Sequence, residues 1–297
     1  MNPLSILIYP GVIFMFATSL LLYGVIRKLT ARMHSRIGPP IWQPFLDIIK
    51  LIGKENIRSE SAKSGFTLWP VLALSSIIMA GLLIPVAGIS PLGPSVDLIT
   101  IMYFLVLSSL CIYLAGFSSG NPFTMIGSGR GLVQLLSYEF PFITSILVPI
   151  LSLQTLSPIA VNQFQIDHGS LLPIFPFAAI AFFFSILAKT ETPPFHVPAA
   201  HQEIVGGYTT EYTGIRLAFL ELTHMVKIFL LISLSIALFF GGSGDIISFF
   251  IKTAIIVFLI SLFKVFAARF RIEHVLKFNI LMGLLAFIDL IRVLVFA

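Results

Sequence analysis

Apolar residues run along this chain in eight long stretches, at about 4–26, 67–89, 98–117, 130–151, 171–188, 213–240, 246–266 and 275–296. A helix needs about 20 mostly apolar residues to cross the hydrocarbon core of a bilayer. The pattern therefore predicts an all-α, polytopic transmembrane helix bundle of about eight spans, with residues 1–297 forming a single transmembrane domain. The 171–188 stretch is short, and the 213–240 stretch is long and polar at its start. No basic residue precedes the first stretch, which predicts a true span rather than a cleaved leader. A further segment follows a different pattern. From 41 to 54, Gln43, Asp47, Lys50 and Lys54 share one helical face, and Ile41, Phe45, Ile48, Ile49 and Ile52 share another. It is too short and too charged to span, so an amphipathic helix is expected there, along the membrane interface or against a partner.

Composition sharpens this picture. The chain is 57% hydrophobic and only 10% charged, with a mean hydropathy of +1.02, whereas soluble domains carry roughly 25% charged residues. No large polar segment is present, which excludes a soluble catalytic domain. The net charge of +5 is unevenly placed. Arg27, Lys28, Arg32, Arg36, Lys50, Lys54, Arg58 and Lys63 fall in the 27–66 loop, Arg130 in the next basic loop, Lys189 in the 189–212 loop, and Arg269 and Arg271 in the last. The loops near 90–97, 152–170 and 241–245 have no Lys or Arg. Alternation with the positive-inside rule makes the basic side cytoplasmic and places both termini outside. Lipid is an expected partner and nucleic acid is not. Cys111 is alone, so neither an internal disulfide nor a cysteine-rich metal or iron–sulfur site is expected. No internal repeat of useful length is visible, which argues against an inverted-repeat transporter.

The unusual chemistry lies near the basic face. Glu139 interrupts an apolar stretch, where an ionised group costs at least ~2.5–3.5 kcal/mol, so it must face protein, water or an opposite charge. Pro141 lacks an N–H and frees the Ser137 carbonyl, which makes a polar pocket beside Glu139 an expectation. The 189–212 loop carries Glu191, Glu203, Glu211, His196 and His201 among three prolines and a Gly-Gly pair. His196 and His201 do not have metalloprotease spacing, and no metal site is expected. Glu221, His224 and Lys227 recur every three residues on one side of a helix, within reach of one another as protonatable groups. Asp289 and Arg292 have the spacing of a static ion pair. These intramembrane groups leave open a stand-alone transporter built on Glu139, Glu221 and His224.

Taken together, four segments resemble the eight-span membrane subunit shared by respiratory complex I and the membrane-bound NiFe hydrogenases. They are Arg36-Ile37-Gly38-Pro39 with Gln43-Pro44, Asp47, Lys50-Leu51 and Lys54-Glu55; Gly129-Arg130, Gln134 and Ser137-Tyr138-Glu139; Pro194-Phe195; and Glu203-Ile204-Val205, Gly207-Tyr208 and Glu211-Tyr212-Thr213-Gly214. The resemblance covers nearly the whole chain in order. It implies a non-catalytic anchor and coupling subunit of a ferredoxin-linked, energy-converting oxidoreductase, tying electron transfer in docked subunits to proton or sodium translocation. It implies no redox cofactor on this chain. Iron–sulfur clusters and NiFe would sit on hydrophilic large and small subunits at the cytoplasmic side, with antiporter-like subunits alongside in the membrane. It implies coupling roles for Glu139, Glu203 and Glu211, which match acidic positions of the path; Glu221, His224 and Lys227, read from their helical spacing, complete the expected coupling set. It implies docking at Asp47 and Lys50, and Arg36, Lys54, His196 and His201 complete the expected docking face. Several departures point away from the quinone-reducing form. The first loop is compact, Lys189, His196, Ala199 and His201 stand where the complex I pattern has more acids, and Thr192 replaces the usual Arg before Pro-Phe. They resemble the hydrogenase type or its relative, a membrane-bound sulfane-sulfur-reducing complex.

Overall fold

The computed structural model describes residues 6–92, 97–199 and 201–296, apart from the side chains at 201, 202 and 296. Among these residues the regular structure is helical, with no strands. The long helices are α1 (Val12–Met33), α3 (Leu68–Leu83), α4 (Leu98–Ser118), α5 (Pro122–Leu153), α9 (Gly214–Leu238), α10 (Ile246–Phe266) and α11 (Ile272–Phe296). Each is long and apolar enough to cross a membrane, α3 counted with the 3-10 turn Ser64–Phe66 before it. The eighth apolar helix, α7 (Pro176–Lys189), has 14 residues, or about 21 Å at 1.5 Å per residue. Between them lie α2 (Gln43–Ile52), α6 (Pro158–His168) and the one-turn α8 (His201–Ile204).

Several boundaries differ from the hydropathy expectation. The first span occupies 12–33 instead of 4–26. It starts after Tyr9-Pro10-Gly11, with Gly11 as its N-cap, and carries Arg27, Lys28 and Arg32 in its last turns, where long cations reach the interface along their own stems. The fourth span begins at Pro122 instead of 130. Its start is set by Asn121, whose side chain accepts from Phe123 N, a cap that hydropathy does not register. It then continues unbroken through Pro141 and Pro149. Helix α6 lies inside what hydropathy presents as an outer loop.

The amphipathic segment forms α2 but ends at Ile52, so Lys54 lies beyond it. Ile48 is buried against Leu20 and Met225, whereas Ile49 and Ile52 are exposed and do not share its buried face. Asp47 accepts from Gln43 Nε2 and Arg27 Nη1, both at 2.9 Å. That ion pair joins α2 to α1.

Helix α9 is the most enclosed of the long helices and packs on α1, α2, α3, α6 and α10. Helices α5 and α11 form the most extensive pair, and α7 packs against both. The short α7 is held by charge at each end. At its N-terminus, fully buried Asp289 of α11 accepts from Ala178 N at 2.9 Å and pairs with Arg292 at 3.2 Å. At its C-terminus stands its own Lys189. Both charges oppose the helix macrodipole, so the predicted static pair Asp289–Arg292 is also a cap for a neighbouring helix.

Candidate functional site

Close packing at the basic end of the bundle begins with glycine. A Cβ on Gly131 would come within 2.2 Å of the Tyr113 ring, and one on Gly116 within 2.8 Å of Tyr208 Cβ. Gly207, at φ +61°, lies against the Pro198 carbonyl. These positions let α4, α5 and the 190–213 loop approach one another, which places two tyrosine hydroxyls on one carboxylate. Glu191 Oε1 accepts from Tyr113 at 2.8 Å and Oε2 accepts from Tyr208 at 2.9 Å. Burial, and then the Glu191 charge, hold the Tyr208 hydroxyl well above the ordinary tyrosine value. Tyr212 fixes the far end of the loop. Its ring stacks on Phe66 at 4.3 Å and its hydroxyl donates to Ala115 O at 2.8 Å. Burial pushes its hydroxyl up to about 12.

Glu191 lines a cavity of about 260 Å³ between this loop and helices α1, α9 and α10. Its titratable lining also includes Tyr23, His196, Tyr208, Glu221, His224 and Lys264. His196, expected on the docking face, turns inward instead, its Nδ1 donating to the Glu191 carbonyl at 2.9 Å. Glu221 and His224 both face the cavity, as their spacing predicts. Lys227 leaves that group and donates to Ser109 Oγ on α4 at 3.0 Å.

Glu139 lies deeper, on α5, and accepts from Lys189 Nζ at 2.7 Å. The Lys189 side chain is 0% exposed and that of Glu139 13%. The Lys189 amine also lies 3.8 Å from the centroid of the Phe142 ring and 5.2 Å from that of Tyr138, a favourable cation–π arrangement. The buried Tyr138 hydroxyl has no hydrogen-bond partner among the described residues and faces Ser109 and Tyr113. The polar pocket expected beside Glu139 is therefore present, filled by a lysine that the sequence marks only as a departure from the family pattern.

The other two carboxylates of the expected coupling set lie apart from this interior. Glu203 is exposed, accepts from Arg130 at 2.6 Å and also pairs with Arg269. The hydrogen bond from Arg130 and the charge of Arg269 hold its carboxyl below the ordinary range. Glu211 accepts from Asn121 Nδ2 at 2.5 Å and so braces the N-cap of α5. Of the docking set, Arg36, Lys50 and Lys54 are exposed and Asp47 is tied to Arg27. The side chain of His201 lies outside the described residues. Lys189, Glu191, Tyr113 and Tyr208 enter the site without having been singled out for it. The available signal was charge balance, since Glu139 and Lys189 each interrupt or end an apolar stretch and neither can stay there alone.

Comparison with known proteins follows the same outline. Residues 5–297 match the model of the NADH dehydrogenase family. The chain is 33% identical over 276 residues to a subunit of the NADH-quinone oxidoreductase of Protochlamydia amoebophila, covering 85% of this chain and 84% of that one. It is 30% identical over 298 residues to NADH-quinone oxidoreductase subunit 8 of Thermus thermophilus, covering 93% and 80%. Among solved structures it is similar to a chain of the membrane-bound sulfane sulfur reductase, an archaeal respiratory membrane complex. The TM-score is 0.89 and the identity 29%, over 95% of this chain and 96% of that one.

Proposed function

This chain belongs to the NADH dehydrogenase family, as a multi-pass membrane subunit of a complex I-like respiratory assembly, and we propose that it anchors and couples an energy-converting oxidoreductase without binding a redox cofactor itself. Hydrophilic iron–sulfur and NiFe-type large and small subunits dock on the basic, cytoplasmic face of a prokaryotic cell membrane. Electrons enter from ferredoxin. Antiporter-like subunits beside the chain move protons or sodium ions. The compact first loop supports the hydrogenase type. The nearly complete overlap with the sulfane sulfur reductase chain supports the same role with a sulfur acceptor.

The observation that carries this reading is the Lys189–Glu139 pair, held in the bundle interior near a cavity lined by the 190–213 loop. Two full charges inside a membrane protein are costly to keep and mark a functional path. An electron arriving at a docked cluster changes the field at Glu191, Glu221 and His224. The interior pair responds by redistributing charge, and neighbouring subunits take up that change. In this scheme Glu203 and Glu211 hold the loop in place, and Glu139, Glu221, His224 and Lys227 carry the response.

Purification of the intact assembly from native membranes tests the proposal. The chain is expected to come out with iron–sulfur proteins and to support ferredoxin-driven reduction of protons or sulfane sulfur in vesicles. A chain that isolates alone and transports an ion or solute, or an assembly that reduces only quinone, would overturn it.

A further inference from the structure

We propose that Glu191 is the proton-exchange group between the loop-lined cavity and the interior of the bundle. The inference rests on the coupling reading above and deepens it, because Glu191 belongs to no part of the expected coupling set.

Three features distinguish Glu191 from a loop carboxylate that happens to be buried. Its backbone is left-handed, at φ +50°, a conformation uncommon for a non-glycine residue. Its position is fixed from three directions, by Tyr113 of α4, Tyr208 of the loop and His196 on its own carbonyl. The residue nevertheless lines the cavity, as does Tyr208, which holds its Oε2. A carboxylate held this way has one side toward a polar chamber and the other toward the protein interior.

On the inner side the polar groups continue. The Tyr113 hydroxyl lies between Glu191 and the unpartnered hydroxyl of Tyr138. Tyr138 faces Ser109, which accepts from Lys227, and the Tyr138 ring lies near the Lys189 amine that pairs with Glu139. The sequence of groups is therefore Glu191, Tyr113, Tyr138, Ser109 and Lys227, with Glu139 and Lys189 adjoining at Tyr138. Hydroxyls both donate and accept, so they pass a proton without holding a charge.

The transfer balances proton for proton. A proton from the cavity binds a Glu191 carboxylate oxygen and neutralises it. The carboxylic acid then donates to the Tyr113 oxygen. Tyr113 turns its own O–H toward Tyr138 and gives up that proton as it receives the new one. Tyr138 passes its own proton on to Ser109, and Ser109 passes its proton to Lys227, which accepts it as the neutral amine; Glu191 returns to the carboxylate, Lys227 becomes the ammonium, and one proton has entered the interior. No oxidant or reductant is consumed in these steps.

The test uses the intact assembly in sealed vesicles, with ions moved per electron as the readout, for wild type, Glu191→Gln, Glu191→Asp and Tyr113→Phe. An infrared difference spectrum of the wild type and the glutamine variant between oxidised and reduced states accompanies it. The ratio is expected to fall toward zero in Glu191→Gln and Tyr113→Phe, because amide and phenyl side chains cannot take up and pass on a proton. Glu191→Asp should recover part of it, and a carboxyl band that responds to reduction should vanish in Glu191→Gln. If Glu191 is only a brace, its variants lower the thermal stability of the assembly and leave the ratio at the wild-type value, which overturns the proposal. If Glu191→Gln does not assemble, a wild-type ratio in Tyr113→Phe overturns it equally. A wild-type assembly that moves no ions with electron flow would instead contradict the coupling reading on which the proposal rests.

Discussion

Two ion-pair sites within the same bundle use the same chemistry to different ends. Arg130, Glu203 and Arg269 meet at the surface, where each side chain keeps between 31% and 45% of its exposure. Lys189 and Glu139 meet in the interior, with the lysine side chain fully enclosed. Water and salt screen the first, so it adds little to stability and serves to tether the loop bearing Glu203 to α5 and to the segment joining α10 and α11. The second is poorly screened. There, each charge depends on the other, and a change in one protonation state is felt by its neighbours with less screening than at the surface. A carboxylate can therefore matter to coupling because of where the fold encloses it, even when a surface carboxylate has more partners.

The largest effect that would break this contrast comes from Lys189→Met. Removing one member of a buried pair leaves an uncompensated charge and should cost about 3–5 kcal/mol, seen as a lowered unfolding temperature in detergent. Adding Glu139→Gln should restore most of the loss, since both charges are then absent. An unaltered unfolding temperature in the single variant would mean that the interior is wetter than the enclosure of Lys189 implies. Next comes Gly131→Ala, whose new methyl would press on the Tyr113 ring. Overpacking of this kind costs about 1–3 kcal/mol, and intrinsic tyrosine fluorescence should report the displaced ring. Asp289→Asn keeps a capping oxygen for Ala178 N but removes the charge opposing the dipole of α7, a loss of about 0.3–2 kcal/mol measurable by the same unfolding assay.

The smallest effect belongs to Glu203→Gln. It should loosen the loop, seen as faster proteolysis near residue 203 at low salt, and the difference should disappear at about 1 M salt, where the Debye length is about 3 Å. Its pH dependence has a definite sign. Because the folded carboxyl is held below its ordinary value, its contribution is complete above that ordinary value and fades as pH falls through the lowered one. Wild type should therefore approach the glutamine variant only under acid conditions. Persistence of the difference in high salt would show that this site is better shielded than its exposure indicates.

The architecture was largely legible in the sequence because a bilayer leaves a strong signature. Eight apolar stretches and a periodic segment at 41–54 correspond to seven long helices, the short α7 and the surface helix α2. Helix α6 was not, since Asn162, Gln163, Gln165 and Asp167 give it neither apolar length nor a clear amphipathic period. Asn162 and Gln165 instead bind the backbone around 237–243, and Gln163 donates to Asp167 on the same helix. At the site, Glu139 stood out because a carboxylate in an apolar run demands a partner. Its partner Lys189 is 50 residues away, and Tyr113 is 78 residues from Glu191. Neither pairing has a local signal. The tyrosine contact depends on close packing that glycines at 116 and 131 allow, and the glycine spacing alone does not say what it admits.

Ions moved per electron by the intact assembly carrying Glu139→Gln, compared with wild type in the same sealed vesicles, show whether the interior pair couples electron flow to ion movement. The ratio should collapse in the variant, because the interior pair no longer carries a titratable carboxylate. A ratio equal to that of wild type would contradict that coupling.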